Sequence, residues 1–258
     1  MYRKYLPWYL DTRYHDIVLK GQVNASLLEE TMTLLNWNVH KNNHHYTWLQ
    51  DFEAILQRYE PNLIAFQEYQ TMGGRSIIDK NSDFSYGFFP NIAFKKHRYG
   101  LLSAGTSTIH DAYARFSHDV EPLIKTPKVS FVTRLGMLGG ESLTLINVHM
   151  INFVKIKKYI AQMKQVEQLC EESSGALILT GDFNTWSLKR MRILQSMVED
   201  MGLKVVPFEV STKQRRFLKY PLDHVFYRGL SVDESLLLSD VNSSDHAPMV
   251  VRFSSLAN

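Results

Sequence analysis

The chain contains a single cysteine, Cys170, among its 258 residues. One thiol cannot close an internal disulfide, and a reducing cytoplasm is the compartment that fits this usage best; a secreted form with its signal already removed is the alternative. No apolar run approaches the roughly 18 residues needed to cross a bilayer, so no stable membrane insertion is expected. The first ten residues carry Arg3 and Lys4 but no continuous apolar segment, which makes a poor secretory signal. Neither Gly-x-Gly-x-x-Gly nor Gly-x-x-x-x-Gly-Lys-Ser/Thr occurs, which disfavours a dinucleotide or P-loop enzyme, and no Gly-x-Ser-x-Gly element suggests a serine nucleophile. Repeats, low-complexity tracts and long linkers are missing as well. So is a strong charge: a net charge of +3 and a pI of about 8.8 suit a phosphate-bearing substrate without pointing to one.

What is present is apolar material, 45% of the residues, enough for one large domain with a substantial core. Strands are predicted near 31–39, 62–68, 99–104, 129–135, 142–149, 176–181, 221–228 and 247–253. Helical spacing predicts helices over 46–59, through Leu49, Phe52, Ile55, Leu56 and Tyr59, and over 153–172, through Phe153, Ile156, Ile160, Met163, Val166, Leu169 and Cys170. A third is expected over about 187–200, with Ser187 as its cap. Two sheets packed face to face with helices outside, or an open doubly wound sheet, satisfy this pattern. Residues 1–30 read as an N-terminal extension packing on one domain of residues 31–258.

The apolar runs end in polar residues. The segment 176–185 runs from Ala176 through Leu-Ile-Leu into Gly181, Asp182 and Asn184. In the same way 34–39 delivers Asn38, 62–68 delivers Glu68 and 143–149 delivers His149. Asp223 opens 221–227, and Asp245 and His246 precede the closing strand. Polar groups at strand ends lie at a sheet rim, where ligands bind. If these residues converge, their carboxylates repel unless a cation joins them. Oxygen-rich ligation favours Mg²⁺, Mn²⁺ or Ca²⁺ over zinc, and the spare carboxylates and two histidines are then available for acid–base work. Hydrolysis of a phosphate ester is the chemistry such a set suits.

Trp37-Asn38, Gln67-Glu68, Asn147-Val-His149, Gly181-Asp-Phe-Asn184, Leu222-Asp223 and Ser244-Asp-His246, in this order, resemble the endonuclease/exonuclease/phosphatase superfamily over about 34–253. The segments 181–187 and 216–229 further resemble its bacterial YafD-like branch. The resemblance implies an α/β, four-layer αββα sandwich of two packed mixed sheets flanked by helices. It implies Mg²⁺ (or Mn²⁺) as cofactor, with Glu68 as principal metal ligand, Asn38 beside it and Asp245 assisting. Asp182 would orient or deprotonate the attacking water, and Asn184 would fix it or the phosphate. His246, held by Asp223, would donate to the phosphate, and His149 would stand where DNases and sphingomyelinases carry histidine. The expected substrate is a phosphodiester in nucleic acid, met by a monomer. A phospholipid head group or small phosphate ester is the alternative, and an inactive binding scaffold a third. An exposed apolar loop near the site, which would favour a lipid, is not evident.

Other polar residues divide less sharply. Asn152 matches a substrate-phosphate contact of some members by the same resemblance, or serves as a cap for the helix after it. The run 213–216 with Lys219 leads into Asp223, so Arg215, Arg216 and Lys219 are candidate substrate contacts. Strand alternation sends His224 away from Asp223, toward packing. His40, His44 and His45 are read as surface residues.

Overall fold

The computed structural model describes residues 16–21, 27–81, 83–122, 125–209 and 220–256. Its elements are β1 (Val18–Lys20), β2 (Thr31–Asn38), α1 (Tyr46–Tyr59), β3 (Leu63–Met72), β4 (Ser85–Phe94), β5 (His97–Gly105), β6 (Ile109–Val120), β7 (Pro127–Gly136), β8 (Ser142–His149), α2 (Ile156–Glu171), β9 (Leu177–Asp182), α3 (Leu188–Asp200), β10 (Lys204–Val205), β11 (Asp223–Arg228), β12 (Leu230–Leu237) and β13 (Met249–Ser255). A short 3₁₀ turn lies at Ile77–Lys80.

Two mixed sheets result, one ordered β1-β4-β5-β3-β2-β13-β12 and the other β10-β11-β9-β8-β7-β6. Each holds one parallel pair, β2 with β3 and β8 with β9, and each pair is joined through a helix, α1 or α2. Strand alternation divides the side chains. On β2, Leu34 joins Ala65, Leu145, Ile178 and Val251 in the core between the sheets. Its neighbours Leu35 and Trp37 face α1 with Trp48, Phe52 and Ile55. Trp37 stacks on Trp48 at 5.2 Å. Leu177 and Leu179 of β9 pack with Tyr159, Met163 and Val166 of α2 and Leu194 of α3. Burying each such side chain contributes about 1.5–3 kcal/mol relative to leaving it in water, so both sheets are covered by helix outside and by each other inside. This settles the choice in favour of packed sheets over an open one.

The structure has more strands than the sequence pattern predicts. Among the described residues, β1, β4, β6, β10 and β12 were not expected. Strand β4 contains Gly87 and Pro90, both poor strand formers. Strands β6 and β12 are half-buried edges rich in polar residues, and lack a continuous apolar run. Helix α2 begins at Ile156 rather than 153, and Phe153 stands outside it, 69% exposed with φ 51°. Ser187 caps α3 as expected, accepting from Arg190 N at 3.4 Å. Among the described residues, no helix is long and apolar enough to cross a membrane.

Candidate active site

The face between the sheets changes character toward the carboxyl ends of the parallel strands. On β2, Leu34 is followed on the same side by Asn36 and Asn38; on β8, Leu145 by Asn147 and His149; on β9, Ile178 by Thr180 and Asp182. Buried polar groups must find partners. Gln67 Nε2 donates to Asn36 Oδ1 at 2.9 Å and to Asn147 Oδ1 at 2.8 Å, across the sheet interface. Asn147 Nδ2 donates in turn to the carbonyls of Phe66 and Leu102. This fully buried amide layer ties the sheets together directly beneath the site.

Above that layer the predicted residues meet. Asp182 Oδ2 accepts from Asn38 Nδ2 at 3.1 Å, and Asp182 Oδ1 from the backbone N of Asn184 at 2.9 Å. His149 Nε2 lies 3.5 Å from Asp182 and 3.9 Å from Glu68. Asp223 is the antiparallel partner of Asp182, and its Oδ2 sits 2.7 Å from His246 Nδ1. Asp245 lies at the rim, half exposed, 3.9 Å from His246 Nε2. Trp37 Nε1 donates to the His246 carbonyl and Ser244 Oγ to that of Asn38, fastening the 243–248 loop over β2. Asn184 Nδ2 donates to Met150 O.

Backbone strain concentrates here. Glu68 sits at a bulge in β3, where pairing with β5 slips between Phe66 and Tyr69, and its φ is 52°. Asn184, His40 and Lys41 also have positive φ. Left-handed backbone costs of order 1–3 kcal/mol and persists at sites that use it. Gly181 has a plain steric reason to be glycine: a Cβ there would lie 2.0 Å from Val148 O on the paired strand.

Charge is unevenly set. Burial opposes ionisation of Glu68, but neighbouring positive charge, His149 when protonated and Lys128 and Lys41 throughout, more than offsets it and holds the carboxyl below the usual range. Burial, with Lys128 next to it, holds His149 well below the usual histidine range, so its ring is neutral at pH 7 and the two lysines are the cations that face Glu68. Lys41 Nζ is 3.0 Å from Glu68 Oε2, and Lys128 Nζ is 3.0 Å from His149 Nε2. Burial raises Asp182 to about 7, helped by the neighbouring Asp223 charge. For His246 burial works downward, but Asp223, by charge and hydrogen bond, takes it up to about 10.

Among the described residues, no three His, Cys, Asp or Glu side chains close into a metal cage. The donor set is instead one buried ionised carboxylate, Glu68, with the Asn38 amide on the neighbouring strand and Asp245 at the rim. That chemistry fits a magnesium-type ion, which takes only one or two carboxylates and leaves positions for water and substrate.

Three residues at the site were missed or set aside from sequence. Lys41 follows β2 in a loop and Lys128 is the second residue of β7, and neither ends an apolar run. His40, read as a surface residue, lies 3.3 Å from Asp245, and its backbone N donates to Asn38 Oδ1. Asn152 does not cap α2, whose N-cap is Lys155 with no side-chain bond. Its Oδ1 accepts instead from Phe153 N and Trp186 Nε1, each at 2.9 Å. His224 packs away from the site against Phe183 and Phe226, 2.8 Å from Thr185 Oγ1. Arg215, Arg216 and Lys219 lie outside the described residues.

Comparison with known proteins is consistent with this geometry. The profile of the Endonuclease/Exonuclease/phosphatase family matches residues 35–246. A UPF0294 protein of Klebsiella pneumoniae (strain 342) is 30% identical over 230 residues, covering 88% of this chain and 83% of that protein. An endonuclease/exonuclease/phosphatase from Beutenbergia cavernae superposes with a TM-score of 0.68 at 12% identity, over 87% of this chain and 72% of its own. The human Nocturnin catalytic domain, solved with bound sulfate, gives 0.66 at 16% identity, over 93% and 97%. At these identities the likeness to the solved structures is one of fold.

Proposed function

The chain belongs to the endonuclease/exonuclease/phosphatase family, and from that premise we propose that it is a divalent-metal-dependent phosphodiesterase acting on nucleic acid. The observation that carries the proposal is the meeting of Glu68, His149 and Asp182 with the Asp223–His246 pair at one end of both sheets. Glu68, with Asn38 and Asp245 at its sides, would hold Mg²⁺ or Mn²⁺. Such an ion, when bound, offsets charge on the phosphate and on the leaving oxygen.

The chain's own groups supply the rest. Asp182, held at both oxygens by Asn38 and Asn184, is fixed in direction and takes a proton near neutral pH, as a general base should. It accepts the proton of an attacking water while the new P–O bond forms and the ester P–O bond breaks, the electron pair leaving with the ester oxygen. His246, kept charged by Asp223, donates to a phosphate oxygen. Lys128 and Lys41 add positive charge where the phosphate would sit.

The test is turnover of bis(p-nitrophenyl) phosphate and of single-stranded DNA by purified protein with Mg²⁺. Asp182→Ala should lower the rate by about 10³-fold or more. No turnover of either substrate with Mg²⁺ or Mn²⁺ across neutral pH would defeat the proposal. The second reading, a phospholipid head group, gains support from the exposed Phe153 beside Lys155 and Lys157.

A further inference from the structure

Trp186 and Phe153 follow the site residues Asn184 and His149 closely in the chain and leave much apolar surface in water. Phe153 is 69% exposed and Trp186 40% exposed. Trp186 comes two residues after Asn184, and Phe153 four after His149. The Trp186 ring is not loose. Its Nε1 donates to Asn152 Oδ1, which also accepts from the backbone N of Phe153, so one amide oxygen fixes the indole and the Phe153 backbone. The backbone N of Asn152 donates to Glu121 Oε1, and Glu121 meets Lys128, which touches His149. The Arg190 guanidinium lies over the Trp186 ring at 4.8 Å and over Tyr159 at 4.4 Å. Its Nη1 donates to the carbonyls of Asn184 and Ile151.

Stability alone does not account for this arrangement. Arg190 is 1% exposed, yet its Nη2 has no partner among the described residues. A buried donor left unpaired costs about 1–3 kcal/mol, and Phe153 adds a left-handed backbone with φ 51°. The expense yields a flat indole, backed by a cation, oriented by its own N–H and anchored to the residues that hold Asp182 and His149. We propose that Trp186, with Phe153 beside it, is a stacking platform for the nucleobase next to the scissile phosphate, which makes a base-bearing, single-stranded phosphodiester the substrate class. An aromatic face accepts any base, so the platform selects for a base without selecting its identity. A membrane-inserting loop would project free apolar side chains; the Trp186 ring is instead tied along its edge and covered on one face. The proposal rests on phosphodiester hydrolysis at the adjoining site and names what that site binds.

Two measurements test it, one independent of turnover. Of the four tryptophans, Trp37 and Trp48 are fully buried and Trp8 lies outside the described residues; adding adenosine monophosphate to the full chain should quench tryptophan emission, and the quenching should disappear in Trp186→Phe, which leaves Trp8 in place. Inorganic phosphate should not quench. In kinetics, the ratio of kcat/KM for a dinucleotide to that for methyl p-nitrophenyl phosphate should fall about tenfold in Trp186→Leu, through KM, and be largely restored in Trp186→Phe. An unchanged ratio, or equal loss on both substrates, would overturn the platform. So would a blue shift with phosphatidylserine vesicles combined with no response to adenosine monophosphate, an outcome that assigns the pair to a lipid surface. If neither diester is cleaved by the wild type while the nucleotide still quenches, hydrolysis fails and the base site stands.

Discussion

The two parallel units, β2-α1-β3 and β8-α2-β9, are built alike and deliver their polar groups differently. In the second, pairing runs without interruption from Thr144 opposite Leu177 to His149 opposite Asp182, so both side chains emerge where strand alternation places them. In the first, Asn38 emerges in register, but Glu68 needs a bulge and a left-handed backbone. The surroundings differ too. Glu68 faces cations and is held ionised, whereas burial, and then the Asp223 carboxylate opposite, raises Asp182 to about 7. Under the proposed reaction, one scaffold would prepare two carboxylates for opposite work: the strained one to keep a positive ion, the other to exchange a proton.

That contrast can be broken by substitution. Asp182→Asn should lower phosphodiester turnover about 10³-fold at every Mg²⁺ concentration, because proton acceptance is lost. Glu68→Gln should instead move the Mg²⁺ dependence at least tenfold upward and regain part of its rate at high Mg²⁺. Identical Mg²⁺ profiles for the two variants would remove the distinction.

Below the site the units depend on one another. Asn147→Leu takes one acceptor from Gln67 Nε2, which keeps Asn36, and one donor from each of the Phe66 and Leu102 carbonyls, and should destabilise the protein by about 1–3 kcal/mol in urea unfolding. A loss under about 0.5 kcal/mol would mean the amide layer does not couple the sheets.

His224 sharpens the comparison on the second sheet's outer side. Burial lowers its pKa to about 4 from the ordinary 6.5. Between those values the unfolded chain binds a proton that the folded chain does not. The folded state is therefore fully favoured above about pH 6.5 and loses up to roughly 3 kcal/mol as pH falls toward 4. Replacing His224 with Phe should flatten Tm against pH over that window. The smallest effect expected is on α3, where Ser187→Ala removes a long cap bond and should cost about 0.5 kcal/mol by the same unfolding measurement.

The sequence shows this architecture unevenly, for physical reasons. Runs buried on both faces, such as 143–149 and 176–181, announce themselves and carry His149 and Asp182 at their ends. Half-buried edge strands such as β6 and β12 alternate too weakly to be seen. The chemical identity of Glu68 is visible, but the bulge that aims it is not, because backbone strain leaves no mark in hydropathy. Lys41 and Lys128 reach the cluster through where the chain folds back, one from a loop and one from the start of β7, so no spacing reveals them. Nor does periodicity separate Phe153 from α2: it falls at helical spacing and yet stands in water.

The most direct measurement is a double-mutant cycle between Glu68→Gln and Asp182→Asn, read as kcat/KM for a phosphodiester with Mg²⁺. If the two units form one reaction centre, the double variant should be no slower than the slower single variant, within a few-fold. Losses that simply multiply would show two independent sites, and would contradict a single centre shared by both sheets.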